Sequence, residues 1–334
     1  MQMSTVAEAI REVAASGPSS PASAVPPRPP VPRAPASVEE TGLSPDQLAQ
    51  LFMKTLYAGE ASGLAVADRM RVPYALLEPI VEGLRAERLI EVRGTLGTGS
   101  AGYRYALTDH GRDRARQYLD ASQYVGPAPV PLEAYIRHTK AMAAARGYID
   151  RERLRAGFEH LIVDDGILDQ LGPAVNAGKA VFLYGAPGNG KTVLAQGMGR
   201  ALGGDVYVPY AIDVGGETIT VFDPVLHETA ADEDQNPGSV LKAMPRDRRW
   251  VRIKRPVVVV GGELTLDMLD LTFNAISRYH EAPLQLKANG GVLLVDDFGR
   301  QRMRPEDLLN RWIVPLESRV DYLTLHKGKK IEIP

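Results

Sequence analysis

The run from Ala180 to Leu202, AVFLYGAPGNGKTVLAQGMGRAL, constrains the fold more than any other part of the chain. AVFLY is a continuous apolar stretch of the kind that forms a parallel strand buried on both faces. The next residues, Gly185 to Thr192, place glycines at 185, 188 and 190. Beyond them Leu194, Met198 and Leu202 recur every four residues, the spacing of one helix face. Strand, glycine-rich turn and helix in that order predict an α/β domain with a loop built for close approach to a ligand.

The spacing G-x-x-x-x-G-K-T is the Walker A pattern. A loop that wraps a polyphosphate with its amides needs Gly185, Gly188 and Gly190, because side chains there collide or forbid the backbone angles. The helix after the loop points its amide-rich, partly positive end at the anion. Gly185, Ala186, Pro187, Gly188, Asn189, Gly190, Lys191, Thr192 and Val193 are therefore the candidate residues for binding ATP. Lys191 is expected to reach the β- and γ-phosphates and to act in catalysis, and the Thr192 hydroxyl to bind Mg²⁺. A dinucleotide-binding fingerprint is not completed, since Gly188 and Gly190 are followed by Val193.

A second apolar run, Gly291 to Val295, closes on Asp296 and Asp297. Asp296 fits the Walker B carboxylate that holds Mg²⁺ through its water shell. Asp297 is then the candidate to orient or deprotonate the attacking water. Asp297-Phe298-Gly299 also matches a kinase D-F-G, but no H-R-D-x-x-x-x-N loop accompanies it.

With both motifs in place, residues 148–334 resemble the AAA+ ATPases, and GAPGNGKT is the most specific part of the match. The resemblance implies a P-loop NTPase fold: a three-layer αβα core, here with β-hairpin insertions, working as a homo-oligomeric ring that remodels a protein or nucleic-acid partner. Most members carry Asp-Glu in the second motif, whereas this chain has Asp296-Asp297, one methylene shorter. The expected second strand is Val206–Ile212, with Pro209 suiting a sheet edge. TITVF, RWVRI and PVVVVGGEL read as inserted hairpins around an acidic loop, ADEDQNPG. Gly261–Leu266 is either a partner-gripping loop, as in the inserted-loop branch of the family, or an ordinary strand-to-helix turn. Pro305 opens a helix with Leu308, Leu309, Trp312 and Ile313 inward, ended or kinked by Pro315, and Tyr322–Ile333 forms a hairpin around Lys327-Gly328. The resemblance also implies a fourth strand with a polar sensor, a fifth strand, an arginine finger and a helical lid, for which Ile333 and Pro334 leave no room. The expectation is a truncated gene or fragment, unless the final hairpin supplies a substitute strand. On that basis strand Ala180–Tyr184 lacks neighbours, and the chain alone binds nucleotide weakly and turns over little ATP.

The first half of the chain reads differently. Residues 1–42 are rich in Pro, Ala and Ser and are expected to form a disordered tail, with a PxxP partner site as the alternative. Ser44, Pro45 and Gln47 write a capping box, and Leu48, Leu51, Phe52 and Leu56 follow at helical spacing. Helices at Leu64–Met70 and from Pro73, a two-stranded wing at Leu89–Val92 and Tyr103–Leu107, and a closing helix capped by Thr108 resemble a small winged-helix α+β domain over residues 43–121. Its third helix carries Glu78 and Glu82, and the wing has only Arg93 and Arg104, so DNA binding and a protein-contact role both stand. Residues 122–147 read as a linker with three prolines followed by a helix.

A net charge of −2 favours neither a nucleic-acid scaffold nor a membrane-surface binder, and the absence of cysteine removes disulfides and thiolate zinc sites. The acidic residues Glu8 and Glu12 do not suit a signal peptide, no apolar run approaches the ~18 residues of a membrane helix, and a cytoplasmic location is expected. The six histidines are scattered without metal-ligand spacing. Three functional classes follow: an ATPase that remodels a partner, a nucleotide-sensing winged-helix DNA-binding regulator, and a non-hydrolysing nucleotide-binding scaffold.

Overall fold

In the computed structural model, which describes residues 29–97, 99–186, 188–231 and 246–334, the capping box at Ser44 is fully made. The Ser44 hydroxyl accepts from Gln47 N and the Gln47 side chain accepts from Ser44 N. The chain forms two compact units, residues 145–204 and residues 29–144 with 205–334.

The larger unit begins with α1 (Val38–Thr41), α2 (Pro45–Tyr57), β1 (Ala61–Ser62), α3 (Gly63–Met70) and α4 (Tyr74–Ala86). It continues with β2 (Ile90–Thr95), β3 (Tyr103–Leu107) and α5 (Asp109–Ala121). The three strands form an antiparallel sheet in the order β1-β3-β2. Leu48, Phe52, Met53, Val66, Met70, Leu77 and Tyr105 pack beneath it, all fully buried. α5 lies so close to the start of β2 that a Cβ on Gly111 would sit 1.8 Å from the Leu89 carbonyl oxygen.

The expected tail and linker are shorter than the sequence suggests. Within 29–42, Asp247 N donates to Pro32 O at 2.9 Å, Arg33 bridges Arg246, and α1 buries Thr41. Within 122–131, Tyr124 and Ala128 join the first core, and β4 (Val130–Pro131) pairs in parallel with a later strand. Burial of Tyr124, Ala128 and Val130 explains the second outcome, while the first rests on backbone bonding to Asp247 and Arg246. α6 (Leu132–Ala144) follows, its Tyr135 ring stacked on Trp250 with 6.5 Å between centroids.

The smaller unit holds α7 (Arg151–Ala156), α8 (Asp165–Ala177) and α9 (Lys191–Leu202). Asp150 and Asp164 cap α7 and α8 with their carboxylates, and Gly178 ends α8 in the left-handed conformation. Leu154, Phe158, Leu168, Leu171, Val175 and Ala201 form its core. Ala180–Tyr184, expected as a doubly buried strand, belongs to no sheet among the described residues. Phe182 is 69% exposed and Tyr184 85% exposed, and only Leu183 packs on the helical core. A parallel strand is stabilised by ladders to neighbouring strands, and this unit has none among its described residues.

The larger unit resumes with β5 (Asp205–Pro209), β6 (Ala211–Val214), β7 (Glu217–Thr220), β8 (Trp250–Lys254) and β9 (Val257–Val260). β10 (Thr272–Asn274), β11 (Tyr279–Glu281), α10 (Leu284–Lys287), β12 (Val292–Val295), α11 (Pro305–Ser318), β13 (Asp321–Thr324) and β14 (Lys330–Ile333) complete it. The expected strand Val206–Ile212 is broken at Tyr210: β5 pairs with β8, while β6 enters the five-stranded sheet β10-β11-β7-β6-β4. The neighbour of β12 is instead β9, in parallel register from Val292↔Val257 to Val295↔Val260. The described strands thus fall into five small sheets, a mixed α/β architecture in place of the single central sheet of a three-layer core. α11 runs through Pro315 to Ser318 and buries Leu308, but Leu309 and Ile313, expected inward, are about half exposed at 50% and 47%. The terminal hairpin β13–β14 forms as expected, with Gly328 at φ 84° in its turn. Among the described residues no helix is long and apolar enough to cross a membrane. The acidic loop ADEDQNPG lies outside the described residues from Asp232 onward.

Candidate functional site

The two motifs lie in different units. Gly185–Val193 belongs to the smaller unit, and Asp296 and Asp297 to the larger. In the loop, Gly185, Gly188 and Gly190 take φ of 153°, 84° and 70°, all in the region that L side chains rarely adopt, as the motif demands. Pro187 lies outside the described residues. α9 starts at Lys191 with Gly190 as its cap, and no side chain caps that end. The Lys191 ammonium donates to the carbonyls of Gly185 and Ala186, each at 3.0 Å. Ala186 and Asn189 are exposed in the loop, Thr192 is half-buried in the first turn of α9, and Val193 is exposed.

In the larger unit, β9 and β12 end side by side. Asp296 N donates to Val260 O at 2.8 Å, extending the ladder by one rung. The Asp296 carboxylate then accepts from Asp297 N at 3.0 Å, and Asp297 turns to φ 50°. Asp296 is half-buried and Asp297 exposed, and Arg300 lies 3.9 Å from the Asp297 carboxylate. Gln301, which the sequence reading passed over, bonds this turn from beneath; no motif spacing marks it.

Gly261–Leu266 is closed on itself. Gly261 N donates to the Glu263 carboxylate at 2.9 Å, a bond that holds the Glu263 carboxyl below the usual range, and Leu264 is fully buried. This geometry is that of a strand-to-helix turn, leading directly into a 3₁₀ turn at Leu266–Leu269.

On the N-terminal module, each basic side chain singled out in the sequence has an acidic partner. Arg104 pairs with Glu60 and Arg93 with Glu91, while Glu78 of α4 accepts from Ser100 in the loop that joins β2 to β3. Glu82 pairs with Arg85 at 3.4 Å. The exposed face of α4 therefore offers phosphate little uncompensated positive charge. Among the described residues no group of three or more His, Asp or Glu side chains is arranged to hold a metal ion.

No family model matches the chain. Among solved structures, Bacillus subtilis PadR in complex with operator DNA is similar over 46% of this chain and 89% of its own, at 19% identity and a TM-score of 0.21. At that score the likeness carries no structural argument.

Proposed function

We propose that the chain is a Mg·ATP-binding ATPase of the AAA+ type that remodels a protein or nucleic-acid partner. The observation that supports it is the loop itself: three glycines in positive φ, a lysine at the first position of a 12-residue helix, and no side chain capping that helix. In this reading Lys191 leaves its two loop carbonyls for the β- and γ-phosphates of ATP. Thr192 and Asp296 are the oxygen donors assigned to Mg²⁺, a hard cation that takes such ligands. Bound magnesium would neutralise charge on the phosphates as the terminal bond breaks. Asp297 orients a water in line with the γ-phosphorus and accepts its proton while ADP leaves. Subunits in a homo-oligomeric ring are the expected working form.

The test is calorimetry of the full chain with Mg·ATP. Lys191→Ala is expected to weaken binding at least about tenfold, as loss of charge-assisted hydrogen bonds does. Equal affinity in the two proteins would sink the assignment.

A second reading, a nucleotide-sensing DNA-binding regulator, is favoured by the order of elements in residues 43–121: three helices, a three-stranded sheet with a hairpin wing, and a closing helix. It requires duplex binding that weakens steeply with salt. The paired arginines of the wing speak for a protein partner instead.

A further inference from the structure

Arg300, Gln301 and Arg302 follow the acidic turn, and of the three only Gln301 is half-buried. Its amide nitrogen donates to the carbonyl oxygens of Asp296 at 2.8 Å and Asp297 at 3.1 Å. Its amide oxygen accepts from Gly299 N at 2.7 Å. The orientation of the amide is fixed by these partners, because a flipped group would set its oxygen against two carbonyls and its NH₂ against an N–H. One side chain therefore holds the peptide planes on both sides of Asp297. Asp297 needs that support: its φ of 50° lies in the left-handed region that L residues seldom adopt. The other local restraint on its carbonyl is Arg300 N at 2.9 Å.

We propose that Gln301 is a positioning residue for Asp297, locking the left-handed turn that aims its carboxylate. The inference rests on the reading of Asp297 as the water-orienting group. Without the amide, the turn relaxes toward right-handed or extended backbone, and the carboxylate swings away from its working direction. A misplacement of about 1 Å is enough to lower a catalysed rate roughly 100-fold.

The experiment combines single-turnover hydrolysis of Mg·ATP, with the full chain in excess, and hydrogen exchange of the peptide covering residues 296–301. Gln301→Ala is expected to lower the hydrolysis rate between about tenfold and 100-fold, to leave Mg·ATP affinity unchanged, and to speed exchange in that peptide. Gln301→Glu keeps the acceptor but repels the two carbonyls when ionised, so its rate relative to wild type should rise as pH falls and the carboxyl becomes a donor. A structural defect alone would not produce that pH profile. Wild-type hydrolysis and exchange in Gln301→Ala, alongside loss of hydrolysis in Asp297→Asn, would overturn the positioning role and leave the ATPase reading intact. Unchanged hydrolysis in both Lys191→Ala and Asp297→Asn, or none in wild type, would overturn the ATPase reading and the positioning role of Gln301 with it.

Discussion

Lys191 holds its ammonium on two carbonyls of its own loop, so any phosphate that enters must compete with bonds already made. The sequence revealed this residue because the chemistry of a polyphosphate cradle dictates both its type and its spacing. Gln301 was invisible for the opposite reason: its role depends on where the chain turns after Asp296, and no periodicity encodes that. The scattered histidines are likewise explained only by packing. His138 sits 4.5 Å from the Trp250 ring centroid, its Nε2 has no hydrogen-bond partner, and burial pushes its pKa down to about 4. Burial also lowers His227 and His280, against the opposing pull of Asp223 and Glu217. Burial favours the neutral ring in each case, so the unfolded chain binds more protons as pH drops through the ordinary value of 6.5. The stability His138 confers is present above pH 6.5 and is lost as pH falls toward about 4. His138→Phe is expected to flatten the fall of Tm over that window, measured by thermal melts at stepped pH.

Helices were legible from their caps and apolar faces, because Ser44, Thr108 and the leucines at three- and four-residue spacing are local signals. Strands were less so. The pairing of β9 with β12 joins segments with 31 residues between them, counted from Val260 to Val292, and no local pattern names that partner. Ala180–Tyr184 shows the limit of composition: an apolar run without neighbouring strands stays outside every sheet among the described residues. Contact between elements also explains Gly111, which reads in the sequence as a poor helix residue. Gly111→Ala would drive a methyl into the Leu89 carbonyl and separate α5 from β2. The expected loss is about 1–3 kcal/mol in urea denaturation, against the gain that Ala normally brings inside a helix.

At the scale of the molecule, the N-terminal module and the strands after residue 205 form one unit, which the domain boundaries read from the sequence did not anticipate. Composition marked the proline-rich segments as spacers, yet Ala211 completes the first core and Tyr124 packs edge-on against Tyr279. Arg249 is central to this closure. Buried beside Asp247 with bonds of 2.9–3.1 Å, it also donates to Thr41 O at 2.8 Å and Pro129 O at 3.3 Å. Arg249→Met strands the Asp247 carboxylate and two carbonyls in the interior. It should destabilise the chain by about 3–5 kcal/mol in chemical denaturation, while the conservative surface change Arg248→Lys should have little effect.

The link between Arg249 and Thr41 spans 208 positions, and residues 145–204 lie in sequence between the two portions it joins. The first core draws nearly all its side chains from residues 43–128, so on a ribosome it can gather early, but Ala211, Tyr279 and the Arg249 link reach it only after residues 145–204 have emerged.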